Sequence, residues 1–274
     1  MFNVSEYEVS INKKRQDIHR KAWKAFMDGQ SVDTSVGITS EIYEGWIRSQ
    51  TLGIEPNKKS VSRVLSNEEL TKLKAENSFF LEICRPALEN LISIVYDSGF
   101  IATISDKNGI LMEVFGDNTI VESTKEGNWV PGADWSESSI GNNSIGSSLV
   151  LQKPISIMGY EHYCRCCHHW SSASALIFDS NHQIIGTIAL CGRFEKIHPH
   201  TLGMIVAAAH DIEMQLSIRK VMHEREIAFE NQRVLINAIS DGVLGIDSTG
   251  IITFSNHKTD EILKVTSDLS LIHI

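Results

Sequence analysis

Between residues 100 and 256 the chain writes one phrase three times: an apolar run, a polar turn, a second apolar run. The copies are "FIATISDKNGILMEVFG", "SALIFDSNHQIIGTIALCG" and "GVLGIDSTGIITFSN". Each reads as two strands around a tight turn, at D-K-N-G, at residues 179–183 and at D-S-T-G. Between the first two lie a Gly-rich loop, a short helix over about 143–151 and a strand "PISIM". Hairpins that bracket a helical middle predict an α+β fold, an antiparallel sheet flanked by helices.

The rest of the chain has helical spacing. Residues 7–28 and 40–52 read as short helices; the second carries Ile42, Trp46 and Ile47 on one face and stops at Gly53 and Pro56. Ser66 with Glu69 three residues on is a capping box. It opens an apolar stripe over 70–95, which Pro86 is expected to bend or divide. A further helix is predicted over 201–240. Leu202, Ile205, Ala209, Ile212 and Leu216 fit a and d positions of a heptad, and the phase slips at Ile218, Val221, Met222 and Phe229. Two readings stay open, a helix packed on its own domain and a helix that joins two copies. After the third hairpin "HKTDEILKV" begins one more helix. The final "LSLIHI" is what a common sequencing-adapter string encodes, so residues 269–274 are set aside as translated adapter.

The formal charge of −9 argues against a sequence-independent grip on nucleic acid, which needs clustered Lys and Arg. No apolar run approaches the roughly 18 residues that span a bilayer, and the N-terminus has no secretory apolar segment. The five cysteines are not spaced as a disulfide framework, which places the chain in a reducing cytoplasm.

Three of those cysteines and three histidines crowd into "EHYCRCCHHW", residues 161–170. If this segment is extended, His162, Cys164, Cys166 and His168 share one face, and Cys167 and His169 take the other. Alternate residues then lie roughly 6.5 Å apart, so two neighbours chelate one ion but four need a bend. Cys164, Cys166, Cys167 and His168 are the candidate metal ligands, for iron or zinc. A thiol redox response and a half-buried strand with thiols facing the core are the competing readings. Adjacent cysteine and histidine on a strand point apart, which disfavours a nucleophile–base pair. "GNNSIGSS" from Gly141 resembles a phosphate loop but has Ser147 in the lysine position, which leaves a loop that caps the next helix. Trp129, Trp135 and Trp170 stand beside turns, as aromatics around a small-molecule cavity do, and plain core packing is the competing reading for each.

Several motifs occur in an order that resembles one family. They are W-S-E, G-N-N-S-I-G, E-H-Y, W-S-S-A-S-A-L-I-F-D and H-P-H-T-L-G-M, preceded by "GWIRSQTLGIEP". Together, over residues 42–216, they resemble the GAF-type sensory domain of sigma-54-dependent transcriptional activators of the acetoin-catabolism-regulator group. Gly45 stands in that group's serine position. The run from Trp170 to Ile177 departs from the group's W-T-C-S-A-A-P-I, with the cysteines placed before the tryptophan. "LINAISDGVLGIDSTGIITFSNHKTDEIL" resembles the opening of a PAS domain.

The resemblance implies an N-terminal helical region (1–65), a GAF-like sensory domain (66–218), and a linker helix leading into a truncated PAS domain (219–268). It implies a ligand-sensing regulatory region rather than an enzyme. A sulfoxide reductase on the same fold is the catalytic alternative, disfavoured by the motifs. The ATPase and helix-turn-helix of such activators find no motif here, so RNA polymerase with sigma-54 would be a partner only through other domains. A small-molecule effector is expected in a cavity lined or rimmed by Trp135, Glu137, His162, Tyr163, Cys164, Cys166 and Trp170. A homodimer through residues 201–240 is the expected assembly. The alternative is a metal- or redox-sensing module feeding another output, such as a histidine kinase.

Overall fold

The computed structural model describes residues 4–34, 37–95, 99–116 and 129–263. The suspected adapter run and residues 264–268 lie outside them. The chain divides into two compact units, Met1–Leu216 and Ser217–Ile274.

The first unit begins with four helices, α1 (Val4–Met27), α2 (Ser40–Thr51), α3 (Asn67–Glu76) and α4 (Ser78–Ile94). Five strands follow, β1 (Phe100–Asp106), β2 (Leu111–Gly116), β3 (Ile155–Met158), β4 (Trp170–Phe178) and β5 (Ile184–Arg193). They form one antiparallel sheet in the order β2-β1-β5-β4-β3. Two short helices, α5 (Glu137–Ile140) and α6 (Ser144–Leu151), lie in the chain between β2 and β3. The expected α+β architecture is what the chain adopts.

The repeated hairpin phrase has one cause. In each turn the aspartate Oδ1 accepts two backbone N–H groups, two and four residues on. Asp106 takes Asn108 and Ile110 at 2.9 and 2.8 Å. Asp179 takes Asn181 and Gln183, both at 2.8 Å. Asp247 takes Thr249 and Ile251 at 2.9 and 3.0 Å. The third residue after the aspartate is left-handed in all three, Gly109 (φ 88°), His182 (φ 60°) and Gly250 (φ 84°). Glycine meets that need without a Cβ. His182 meets it with its ring stacked on Phe178, centroids 4.6 Å apart.

Two boundaries differ from expectation. The stripe over 70–95 divides at Asn77, not at Pro86: Asn77 closes α3 with its side-chain amide on Leu73 O at 2.8 Å, and Pro86 lies inside α4. Tertiary packing of Ile83, Cys84, Ala87 and Leu88 holds that helix across the N–H the proline removes. The break drawn at residue 65 does not separate structural units. Trp23 and Phe26 of α1 and Ile42 and Trp46 of α2 are buried in the same cluster as Ile101, Ile157 and Tyr163.

The sheet has two unlike faces. On one, Ala102, Ile104, Ala175, Ile177, Ile188 and Leu190 pack against α4 and the start of α7 (His200–Asn237). On the other, Thr103, Ser105, Ser172, Ser174, Thr187 and Cys191 are buried. Their packing partners are treated below. The buried positions of α7 are Thr201, Ile205, Ala209, Ile212 and Leu216, all within the first unit. Later apolar residues of that helix, such as Val221, Met222 and Phe229, are exposed.

The second unit carries the hairpin β6 (Leu244–Ile246) and β7 (Ile252–Ser255), followed by α8 (His257–Leu263). Asn256, fully buried, accepts from Val243 N and donates to Asp241 O, both at 2.9 Å.

Candidate functional site

The segment 161–170 is not a strand. It runs through two 3-10 turns, Gly159–Glu161 and Arg165–Cys167, and pairing starts only at Trp170. The expected sharing of one face by His162, Cys164, Cys166 and His168 is therefore overturned. The physical reason is backbone anchoring from elsewhere. Trp46 Nε1 donates to Glu161 O at 2.7 Å and Trp23 Nε1 to Tyr163 O at 3.0 Å. Arg165 N donates to Pro56 O at 2.9 Å. The Gln16 amide brackets the preceding turn, donating to Met158 O at 3.2 Å and accepting from Tyr160 N at 2.8 Å. A 3-10 turn closes i→i+3 bonds, so these satisfied carbonyls suit a coiled path rather than a ladder.

Both buried imidazoles are engaged with this backbone. His162 Nδ1 lies 2.9 Å from Gly159 O, and His168 Nε2 lies 3.2 Å from His162 O. Cys164 Sγ donates to Glu55 O at 3.5 Å, and the sulfurs of Cys166 and Cys167 are 3.7 Å apart. Among the described residues no group of three or more His, Cys, Asp or Glu side chains is placed to hold a metal ion. The four candidate ligands thus share a segment but not a coordination geometry.

Burial sets the charge state. It pushes His162 down to about 4 and His168 to about 3, so both rings are neutral near pH 7. Burial likewise lowers His19 of α1 to about 4, and its Nδ1 lies 3.5 Å from Glu161 Oε1. Burial raises Glu161 to about 7, opposed by the bond that its Oε2 accepts from Met158 N at 2.7 Å. Cys164 is pushed up to about 12 by burial. Cys166 is held below the usual thiol value by the hydrogen bond from Cys167, whose own thiol is raised by the same bond and by burial. The site is a low-charge interior.

Trp135 is 2% exposed and stacks on Trp129 with centroids 3.7 Å apart. Both belong to the cluster that holds Tyr163, Cys164, Cys167 and Cys191, with Cys166 and Trp170 packed on its rim. Arg193 covers the Trp170 ring at 5.6 Å. The polar face of the sheet meets α6 through hydroxyl pairs, Ser144 to Ser172 at 2.6 Å and Ser148 with Ser174 at 3.1 Å. Ser105 pairs with Thr187 at 2.7 Å. Thr103 Oγ1, on β1 opposite Ala189 of β5, is buried with no hydrogen-bond partner among the described residues. At the edge of the cluster, a cleft of about 790 Å³ is lined by Trp23, Tyr160, Arg165 and His168, with Lys13, Arg20 and Lys24 of α1 outnumbering Asp17 and Glu195.

Glu137 stands apart from the Cys/His segment, on a cleft of about 530 Å³ that it lines with Ile47, Arg48, Leu149 and Val150. Its carboxylate takes Arg48 of α2 in two bonds, 2.8 and 2.7 Å, and Ser147 Oγ at 2.5 Å. It ties α2 to α5 and α6 and does not join the Cys/His segment. "GNNSIGSS" is a capping loop, as its missing lysine suggests: Asn143 Oδ1 accepts Ile145 N and Gly146 N at 3.1 and 3.0 Å. Sequence reasoning missed Trp23, Trp46, Gln16, His19, Thr103 and Glu161. Glu161 stands inside the E-H-Y motif and Trp46 inside "GWIRSQTLGIEP", so these two were open to notice. A Cβ on Gly45 would collide with the Asn142 side chain, whose amide reaches Glu161 O at 2.9 Å.

Among the described residues, no helix is long and apolar enough to cross a membrane. A family model described as "GAF domain" matches residues 80–216. A signal-transduction and transcriptional-control protein of Clostridium beijerinckii is 30% identical over 81% of this chain and 35% of its own length. The acetoin dehydrogenase operon transcriptional activator of Bacillus subtilis is 29% identical over 76% of this chain and 34% of its own. This chain thus spans about a third of those relatives. The solved E. coli DhaR(N)–DhaL complex matches with a TM-score of 0.80 at 19% identity, over 86% of this chain and 80% of that one, a likeness of fold.

Proposed function

The chain belongs to the GAF-domain family, and on that premise we propose that its first unit senses an effector for a transcriptional regulator. The unit binds a small molecule and makes no bond. The observation that carries this reading is the Thr103 hydroxyl, buried and without a partner among the described residues, on the sheet face that also carries Ser172, Ser174 and Cys191. An unsatisfied buried hydroxyl costs about 1–3 kcal/mol, a cost that a ligand's polar group removes. The uncharged lining selects a neutral molecule with an apolar body and few hydroxyl or carbonyl groups. Trp135, His162, Tyr163 and Cys164 shape its surroundings, Cys166 and Trp170 the rim. Glu137 acts only through its ion pair with Arg48.

The output is proposed to run through sigma-54 RNA polymerase, by domains outside this chain, as the resemblance of its motifs implies. The second unit is read as the opening of a PAS domain. A second copy of the chain is proposed to cover the exposed apolar residues of α7 beyond Leu216. Binding favours one state of that helix only through differential affinity for two arrangements.

The test is thermal unfolding of the 274-residue chain with small ketols and polyols, acetoin first because a relative's operon is named for it. Ligand at a hundred times Kd raises stability by about 2.7 kcal/mol. Thr103→Val should abolish that rise while the apo protein stays folded. A rise from organic anions alone, untouched by Thr103→Val, would move the site to the basic cleft beside α1.

A further inference from the structure

Cys166 and Cys167 are consecutive, yet their sulfurs meet at 3.7 Å. On a strand they would point to opposite faces. The 3-10 turn Arg165–Cys167 brings them to one side. Cys166 is half-buried and reaches solvent, whereas Cys167 is 4% exposed and Cys164 and Cys191 are fully enclosed. The pair therefore has one accessible sulfur and one shielded sulfur in near contact. Cys84 belongs to the cluster on the opposite face of the sheet.

We propose that Cys166 and Cys167 are a reversible oxidation site, closing to a vicinal disulfide when the protein meets a hydroperoxide. The Cys166 sulfur attacks the peroxide; an S–O bond forms, the O–O bond breaks, and water or alcohol leaves. The Cys167 thiol then attacks the Cys166 sulfenic sulfur. The S–S bond forms, the S–O bond breaks, and water departs with the Cys167 proton. Two thiols lose two electrons and two protons, and the peroxide gains both. A low-molecular-weight thiol reverses the change through a mixed disulfide.

The geometry makes such a bond a switch rather than a staple. Neighbouring Cα atoms are about 3.8 Å apart across a trans peptide. Ordinary disulfides place them about 4.4–6.8 Å apart, so a vicinal bridge is strained and easily reduced. Closure also contracts the sulfur separation to about 2.05 Å, which must repack the turn. That turn holds Arg165 over the Trp23 ring at 5.2 Å and leads into His168, edge-on to the same ring at 4.9 Å. Oxidation is thereby reported to α1, apart from any effector bound at Thr103.

The experiment is a thiol count on the whole 274-residue chain under denaturing conditions after one equivalent of hydrogen peroxide. The five free thiols should fall to three and return with dithiothreitol. Mass mapping should place the bond between Cys166 and Cys167. Cys164→Ser should leave that two-thiol loss intact, scored against its own untreated count. Cys167→Ser should instead lose one thiol, trapped by dimedone at Cys166, and Cys166→Ser should lose none. Cys166→Ala repeats the last arm if the serine variant melts early. A bond to Cys164 or Cys191, a bond between chains, or five thiols surviving the peroxide would overturn the proposal.

Discussion

The two faces of the five-stranded sheet are made by the same strands, one residue out of phase. β1 sends Ala102 and Ile104 to one side and Thr103 and Ser105 to the other. β5 sends Ile188 and Leu190 one way and Thr187 and Cys191 the other. The apolar face meets α4 and α7 through branched side chains; the polar face meets α6 through paired hydroxyls. One side is built for cohesion. The other mixes hydroxyl and thiol side chains with Ile101, Ile155 and Ile157, and its cover comes from helices and turns distant in sequence. A sensor needs both, since a ligand bound in a rigid surround shifts an equilibrium only where the cover can rearrange.

The contrast is broken most forcefully on the apolar side. Leu88→Ala, at a fully buried position of α4, should cost about 4 kcal/mol in urea unfolding. Next comes the clamp at the edge of the polar side. Arg48→Met strands the Glu137 carboxylate, which is 3% exposed, and should cost about 3 kcal/mol. Adding Glu137→Met should recover most of it, because the loss is that of an unpaired charge.

A third effect belongs to the cover alone. Glu161, raised from 4.5 to about 7, keeps a proton that the unfolded chain releases, so it removes stability as pH rises through that window. His19 and His162, lowered from 6.5 to about 4, and His168, lowered to about 3, do the reverse. Their contribution is lost as pH falls below 6.5. Three outweigh one, so stability should climb between pH 4.5 and 6.5. Glu161→Gln should steepen that climb by one proton, about 1.4 kcal/mol per pH unit. An unchanged slope in urea titrations across this range would show that the carboxyl is not held protonated.

Smaller still is Thr103→Val, expected to raise apo stability by about 1 kcal/mol, because it deletes a buried hydroxyl that has no partner among the described residues. A large loss would mean that the polar face is as tightly packed as the other. Smallest is Phe229→Glu on the exposed part of α7, which should leave unfolding of the first unit within about 0.5 kcal/mol. With α7 covered by a second copy, as proposed, its effect should appear instead as a dimer-to-monomer shift in light scattering.

How much of this was readable in the residues follows from the range of each interaction. The hairpins were legible because an aspartate and a left-handed residue lie within five positions of each other. The Ser66–Glu69 box was legible for the same reason, and it forms as expected, with Glu69 N donating to Ser66 Oγ at 3.2 Å. The segment 161–170 was misread because its path is set by Trp46 and Trp23, 115 and 140 residues away. No periodicity records such bonds. The ion pair of Glu137 was not legible because its partner Arg48 lies 89 residues earlier. The Cys/His cluster was visible as composition, but whether its side chains converge on an ion or on one another depends on turns that leave no repeating pattern.

Gly45 and Asn142 leave a record of history rather than of chemistry. With no room for a methyl at one position while the other carries an amide, neither can be exchanged freely. A serine at 45 would force the Asn142 amide to another rotamer, away from Glu161 and Ser147, or call for a shorter residue there. The two sites should covary across descendants as a single inherited choice.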